Sequence, residues 1–179
     1  MSESAYRIGA SFLREFFAGS DLVGNLIKNY PNRSVEELQM LESLRDTLDK
    51  FFQPMQSLFR KFDEHGGFPD SYLNNLKQLG LFGLIIPEKY GGLGLSAWGY
   101  GKVIEAVSYY DASTAVMLGA HSSIGLRGII MYGSEEQKLK YLPSLASGDK
   151  IACFCLTEPE SGSDAANLRT TAVKSGGDW

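Results

Sequence analysis

The chain has 179 residues, 44% hydrophobic and 21% charged, the proportions of a soluble globular protein rather than a disordered or fibrous one. That length allows one domain, or one domain and part of a second. Its 17 basic and 21 acidic residues leave a net charge of −4; the basic ones form no stripe, which excludes nucleic acid as a partner. Cys153 and Cys155 stand one residue apart, so no disulfide framework exists, and the chain reads as one from a reducing compartment. With His65 and His121 far from that pair, zinc is excluded too, and the cysteines read as two small apolar residues on one face of a strand.

Residues 1–33 read as an irregular extension ending at Tyr30-Pro31. Met1–Ala10 has no apolar run and is no secretory signal. Ala5–Phe17 is amphipathic in pattern, but Glu3 and Glu15 interrupt it and make it a poor mitochondrial leader. Ser34-Val35-Glu36-Glu37 predicts a capping box. The stripe that follows, from Val35 and Leu38 to Phe59 and Phe62, keeps spacings of three and four and predicts a long helix. Pro54 is expected to kink or divide it, and His65-Gly66-Gly67 to stop it.

Asp70 is expected to cap a shorter helix that turns Leu73, Leu76 and Leu79 inward and ends at Gly80. Leu84-Ile85-Ile86-Pro87 predicts a brief extended run. Ser96 opens a third helix through Val103, Ile104 and Val107, and Asp111 caps a fourth, rich in small residues, running past His121 to Ile130. Its uncharged stretch, Ala112–Leu126, is too short and polar to span a bilayer. Ser134-Glu135-Glu136-Gln137 is a second capping box and Gly148 the end of that helix. Residues 34–149 thus predict a bundle of five or six helices.

The pattern then changes. Ile151–Thr157 and Leu168–Val173 read as strands, Ser175–Asp178 as a turn, and Trp179 as the start of a return strand. Residues 150–179 are expected to be the start of a β domain, cut before its sheet can close.

Two glycine motifs carry chemical possibilities. Gly92-Leu93-Gly94-Leu95-Ser96-Ala97 matches a dinucleotide-binding pattern, but Pro87 interrupts the approach and no ribose-binding acid follows a second strand; a sharply turning loop explains it as well. Thr157-Glu158-Pro159-Glu160-Ser161-Gly162-Ser163-Asp164 leaves a strand, turns, and places Gly162 and Ser163 before a short helical stretch. Backbone N–H groups there, with the Ser163 hydroxyl, could cradle a pyrophosphate, and a capped turn is the other reading. No G-x-S-x-G elbow is present, which argues against a hydrolase. Ala112, Ser113, Ala115, Gly119 and Ala120 allow either close helix packing or a groove for a long ligand.

Taken together, these residues resemble the acyl-CoA dehydrogenase family, its long- and very-long-chain members above all. The resemblance is carried by Leu79–Leu84, Pro87–Gly94, Gly119–Gly125, Gln137-Lys138, Lys140–Pro143, Phe154–Pro159 and Ser161–Asp164, in register over residues 34 to 179. It implies a helical N-terminal domain, a middle β domain and a C-terminal bundle, and an FAD enzyme that places a double bond between Cα and Cβ of a fatty acyl-CoA in β-oxidation. It further implies that Phe154, Leu156 and Thr157 lie along the flavin ring and that Gly162 and Ser163 face the FAD pyrophosphate, with Ser163 also touching the substrate's CoA portion. Phe154 stands where many relatives have Tyr. The family's second flavin strand and its catalytic glutamate have no counterpart in these residues, so no catalytic base is assigned and the 179 residues alone are expected to be inactive.

The fold class expected is therefore mainly α: a helical bundle of the acyl-CoA dehydrogenase type, followed by the first strands of a truncated β domain. The partners implied are a fatty acyl-CoA, an electron-transfer flavoprotein and further copies of the full-length chain, as dimer or tetramer. The compartment implied is a bacterial cytoplasm, or alternatively the mitochondrial matrix. Two rival readings are a stand-alone helical module that binds acyl chains or a partner protein, and the N-terminal part of a flavin acyl-CoA oxidase.

Overall fold

A computed structural model describes residues 34–177 and Phe17. The extension expected before Ser34, including the rest of Ala5–Phe17, and the strand start expected at Trp179 lie outside the described residues. Two compact units divide between Leu38 and Gln39. In the first, Ser34 opens helix α1 (Val35–Phe52) as expected, its Oγ accepting the Glu37 N–H at 3.0 Å. The second unit, from Gln39 on, holds the rest of that helix and the elements after it.

Leu48 and Phe52 are the buried residues of α1. Pro54 divides the long stripe as expected. It lies in a single 3-10 turn, Gln53–Met55, because its ring blocks the preceding carbonyl and it has no N–H to donate. Helix α2 (Gln56–His65) then runs to Gly66, whose φ of 75° turns the chain out of the helix. Helix α3 is Asp70–Gln78, capped by Pro69 rather than Asp70. Pro69 is already extended (ψ 148°), and its carbonyl accepts from Tyr72 and Leu73 at 3.0 and 3.1 Å. Asp70 falls one place inside, where its charge complements the positive helix end.

The extended run expected at Leu84–Pro87 is instead a knot of turns. The N–H of Gly83 reaches Gly80 O, that of Ile86 reaches Gly83 O, and the N–H groups of Leu93, Gly94 and Leu95 fold back onto the carbonyls of Gly83, Ile86 and Leu84. Leu81, Phe82, Leu84 and Ile86 are all fully buried. The Ile86 N–H and the Leu84 and Ile86 carbonyls are bonded within the knot itself, which leaves none of them for a neighbouring strand.

Helix α4 (Ala97–Tyr110) starts at Ser96, whose Oγ accepts the Gly99 N–H. Helix α5 (Ala112–Gly119) starts at Asp111. The fourth helix expected from sequence is broken here: a π-helical turn, Ala120–Gly125, separates α5 from α6 (Arg127–Tyr132). Helix α7 (Glu135–Ala146) carries the complete capping box expected at Ser134 and Gln137. Gly148 follows with φ 77°.

The larger core gathers Leu48, Phe52, Phe59, Leu76, Val103 and Leu118 around Tyr72. Rings of Phe62 and Phe68 lie 5.2 and 5.3 Å from the Tyr72 ring, and its hydroxyl meets Thr114 Oγ1 at 2.7 Å. Burial is the main reason the Tyr72 hydroxyl holds its proton well above the usual phenol range. A second core joins Ile86, Tyr90 and Leu126 to Leu142 and Leu145 of α7. Its rim is closed by Glu135, which accepts from the Tyr90 hydroxyl at 2.7 Å and from Lys89 at 3.2 Å. The hydrogen bond from Tyr90 holds the Glu135 carboxyl below its ordinary range, with Lys89 adding to the effect.

Beyond Gly148 the expected strands do not form. Ile151–Thr157 and Leu168–Val173 are without strand pairing among the described residues, and the backbone bridge seen there joins Glu158 to Ser161. A strand exists only through a neighbour's hydrogen bonds, and neither segment pairs with the other. Their apolar side chains, Ile151, Phe154, Leu156, Leu168 and Val173, are exposed. The mainly helical class stands.

Candidate flavin-contact segment and phosphate turn

The five residues singled out as cofactor contacts lie in two adjacent pieces of chain. Phe154 and Leu156 are 58% and 41% exposed, and Thr157 beside them is exposed as well. Both Phe154 and Leu156 present apolar surface to solvent. Cys153 and Cys155 are free thiols and also exposed, so nothing in the described chain packs the face they were expected to share. The Cys155 thiol, hydrogen-bonded to it, raises the pKa of Cys153 above its usual value.

Two places hold this segment. At its start, the Ala152 N–H donates to Nδ1 of His121 at 3.0 Å. At its end, Glu158 and Ser161 exchange backbone hydrogen bonds of 3.0 and 3.2 Å across Pro159-Glu160. Ser161 is buried and donates its hydroxyl to the Asp164 carbonyl at 2.5 Å.

The Glu158 carboxylate braces the same turn from the far side. It accepts the N–H groups of Arg169 and Thr170 at 2.8 Å each, and the Thr170 hydroxyl. These bonds, that of the Thr170 hydroxyl foremost, hold its carboxyl below the usual range. Arg169 also reaches Glu160 at 2.5 Å.

Gly162 and Ser163 sit exposed at the outer side of this braced turn. A Cβ on Gly162 would meet no protein atom within 4 Å, and Gly162 is not among the glycines with positive φ. Among the described residues, neither packing nor backbone conformation therefore calls for glycine there. The helical stretch after it is one 3-10 turn, Ala165–Asn167, too short to bring a helix dipole. Backbone N–H groups and the Ser163 hydroxyl are what the turn offers an anion.

The other motif has a mechanical explanation. A Cβ on Gly92 would lie 2.0 Å from the Ile86 carbonyl oxygen, and Gly94 has φ 62°. Both glycines serve the knot before α4. Of the small residues in α5 and the start of the π turn, Ala115 belongs to the larger core, Ala112 and Ser113 are exposed, and Gly119 and Ala120 are half-buried. Packing accounts for Ala115.

Sequence reasoning missed the groups that position the segment: His121, Gly125 and Ala152 at one end, Glu158 with Arg169 and Thr170 at the other. One signal was available, a histidine inside a stretch otherwise of small and apolar residues.

Residues 34–149 match the family model described as acyl-CoA dehydrogenase, N-terminal domain. The chain belongs to the acyl-CoA dehydrogenase family. It is 41% identical over 172 residues to the very long-chain specific acyl-CoA dehydrogenase, mitochondrial, of Bos taurus, covering 96% of this chain and 26% of that protein. It is 42% identical over 144 residues to an acyl-CoA dehydrogenase of Bacillus subtilis (strain 168), covering 80% and 37%. The solved acyl-CoA dehydrogenase from Bacillus anthracis complexed with FAD is similar at TM-score 0.61 and 36% identity, over 77% of this chain and 23% of that one. The chain thus spans between about a quarter and two-fifths of the length of these relatives. Relatives of both mitochondrial and bacterial origin share this part. Among the described residues no helix is long and apolar enough to cross a membrane.

Proposed function

We propose that this chain is the N-terminal part of an FAD-dependent acyl-CoA dehydrogenase that oxidises the Cα–Cβ bond of a fatty acyl-CoA in β-oxidation. In this reading residues 34–149 are the helical domain, residues 150–179 begin the middle β domain, and residues 1–33 are an extension. The electrons pass to an electron-transfer flavoprotein, the full-length enzyme is a dimer or tetramer, and it works in a bacterial cytoplasm or the mitochondrial matrix.

One observation carries the reading. An apolar segment, Phe154–Thr157, stands unpaired and exposed between its attachment to the helical domain at Ala152 and a self-braced turn at Glu158, whose glycine serves no packing need among the described residues. Such a surface fits a planar apolar ring with a phosphate tail. FAD would supply the hydride acceptor.

The chain's own residues bind, orient and exclude water. Phe154 and Leu156 cover the ring and keep solvent from it. The Thr157 hydroxyl and nearby backbone groups hydrogen-bond its polar edge, a placement that favours negative charge there. Gly162 and Ser163 hold the pyrophosphate through backbone N–H groups, and the Ser163 hydroxyl also meets the CoA portion of the substrate. No residue of this chain is assigned as the base that takes the α-proton.

The flavin content of the full-length protein tests the reading. Wild type is expected to retain one FAD per chain, and Gly162→Val and Thr157→Ala each to weaken it about tenfold or more, roughly what the loss of one or two charge-assisted hydrogen bonds costs. Purified protein that neither carries nor takes up FAD would overturn it.

A further inference from the structure

We propose that His121 and Gly125 form a positioning clamp that holds the flavin-contact segment Phe154–Thr157 to the helical domain through the backbone of Ala152. The inference rests on the flavin reading above for what the clamp serves, and on geometry for the clamp itself.

His121 is fully buried, a costly place for an imidazole unless both nitrogens are satisfied. They are satisfied by backbone groups from two distant parts of the chain. Nδ1 meets the Ala152 N–H at 3.0 Å and Nε2 meets the Phe82 carbonyl at 3.1 Å. An amide N–H can only donate, so Nδ1 is the acceptor and the single ring proton sits on Nε2, donated to Phe82. These two bonds select one neutral tautomer, and burial, the largest effect, depresses the pKa against the opposing pull of the Phe82 and Leu145 carbonyls. The ring packs edge-on against Phe82, 5.4 Å between centroids.

Gly125 closes the other side. A Cβ there would lie 2.7 Å from Ala152 Cβ and 2.8 Å from the Ala152 carbonyl carbon and oxygen. Only a residue without a side chain lets the Ala152 backbone come so near. The π turn brings both parts of the clamp to one place: the Leu126 N–H bonds to the His121 carbonyl five residues back, at 3.0 Å. Such wide turns commonly mark positions where a helix is shaped for a task.

Phe154 lies only two residues beyond this anchor, about 7 Å along an extended chain. Among the described residues, Cys153–Thr157 make no backbone hydrogen bond of their own. The orientation of the segment is therefore inherited from Ala152 and from the Glu158 turn. His121 and Gly125 would touch no cofactor; they act through Ala152 as positioning residues.

Amide hydrogen exchange on the full-length protein separates positioning from mere packing. In His121→Leu and Gly125→Ala, exchange of the Ala152 amide is expected to rise about tenfold or more, while α5 and α7 change less than about twofold. His121→Gln can still accept from Ala152 and donate to Phe82, and is expected to restore most of the protection. FAD affinity, measured in parallel, should fall in the first two variants and recover in the third. Unchanged exchange at the Ala152 amide would overturn the clamp. So would a rise spread equally over all helices in both Gly125→Ala and His121→Gln, which would make the pair ordinary core. Wild type that binds no FAD would sink the flavin reading, while the exchange result still decides the clamp.

Discussion

Gly92 and Ile86 touch backbone to backbone, so closely that a Cβ on Gly92 would lie 2.0 Å from the Ile86 carbonyl oxygen and 2.6 Å from the Ile86 Cβ. The contact locks the knot of turns before α4 and gives Gly92 a packing task. Gly92→Ala is expected to destabilise the chain by about 3 kcal/mol or more, the upper end for forced overpacking with backbone shift. Gly94→Ala meets nothing nearer than 3.7 Å and suffers only the strain of its positive φ, about 1–2 kcal/mol. Urea unfolding of the two variants checks the order; a Gly92→Ala protein as stable as Gly94→Ala would show that the close approach is absent.

Asp111 serves two elements at once. Its Oδ2 accepts the Thr114 N–H at 2.7 Å and the Thr114 hydroxyl at 2.5 Å, and Thr114 in turn meets the Tyr72 hydroxyl. Asp111→Ala removes the cap of α5 and unsettles a buried chain of hydroxyls. About 2–4 kcal/mol of stability should be lost, from a cap worth about 1 and buried polar groups worth about 1–3. Tyr72→Phe, which deletes only the far end, should cost about 1 kcal/mol. Thermal unfolding that leaves Asp111→Ala within about 0.5 kcal/mol of wild type would contradict the network.

The pH dependence of stability has a defined sign at His121. Burial lowers its pKa in the folded chain, while unfolding returns it to an ordinary value of about 6.5. The unfolded chain therefore binds more protons as the pH falls below about 6.5, and stability drops there. Its contribution is full above that pH and is lost progressively towards the depressed folded value. Denaturant midpoints of wild type should fall between pH 7.5 and 5.5, and His121→Gln should lose that part of the fall. An equal fall in both would assign the acid sensitivity elsewhere.

Glu158 is expected to act on the phosphate turn without acting on global stability. Its carboxylate gathers Arg169 and Thr170 behind Gly162 and Ser163, and Gln offers one acceptor oxygen where the carboxylate offers two. Glu158→Gln should speed amide exchange at Arg169 and Thr170 and weaken FAD several-fold, with the unfolding temperature unchanged. FAD affinity equal to wild type would remove Glu158 from the site.

Much of the fold was legible because caps and breakers act locally. Ser34, Ser96, Asp111 and Ser134 open helices as their spacing predicts, and Pro54, Gly66 and Gly148 end or divide them. Where the outcome depends on distant atoms, local pattern failed. The π turn at Ala120–Gly125 answers to Phe82 and Ala152, 39 and 31 residues from His121. The run at Leu84–Ile86 looked extended because it is apolar, yet its backbone bonds to Gly83, Gly94 and Leu95 and it folds into turns. Ile151–Thr157 and Leu168–Val173 carry a strand pattern with no strand to pair with among the described residues.

The candidate site divides in the same way. The turn at Gly162 and Ser163 was legible from its residues, and the roles of Phe154, Leu156 and Thr157 came from family resemblance. The Glu158 brace was not legible, because its partners lie 11 and 12 residues downstream and nothing in local spacing joins them.

The most direct measurement is an anaerobic titration of the FAD-containing full-length protein with saturated acyl-CoA of increasing chain length, following the flavin absorbance. Bleaching of the oxidised flavin by at least one chain length, with the 2-enoyl-CoA as product, is the predicted result. A flavin that stays oxidised with every chain length would contradict the assignment of Phe154–Ser163 to a dehydrogenase site.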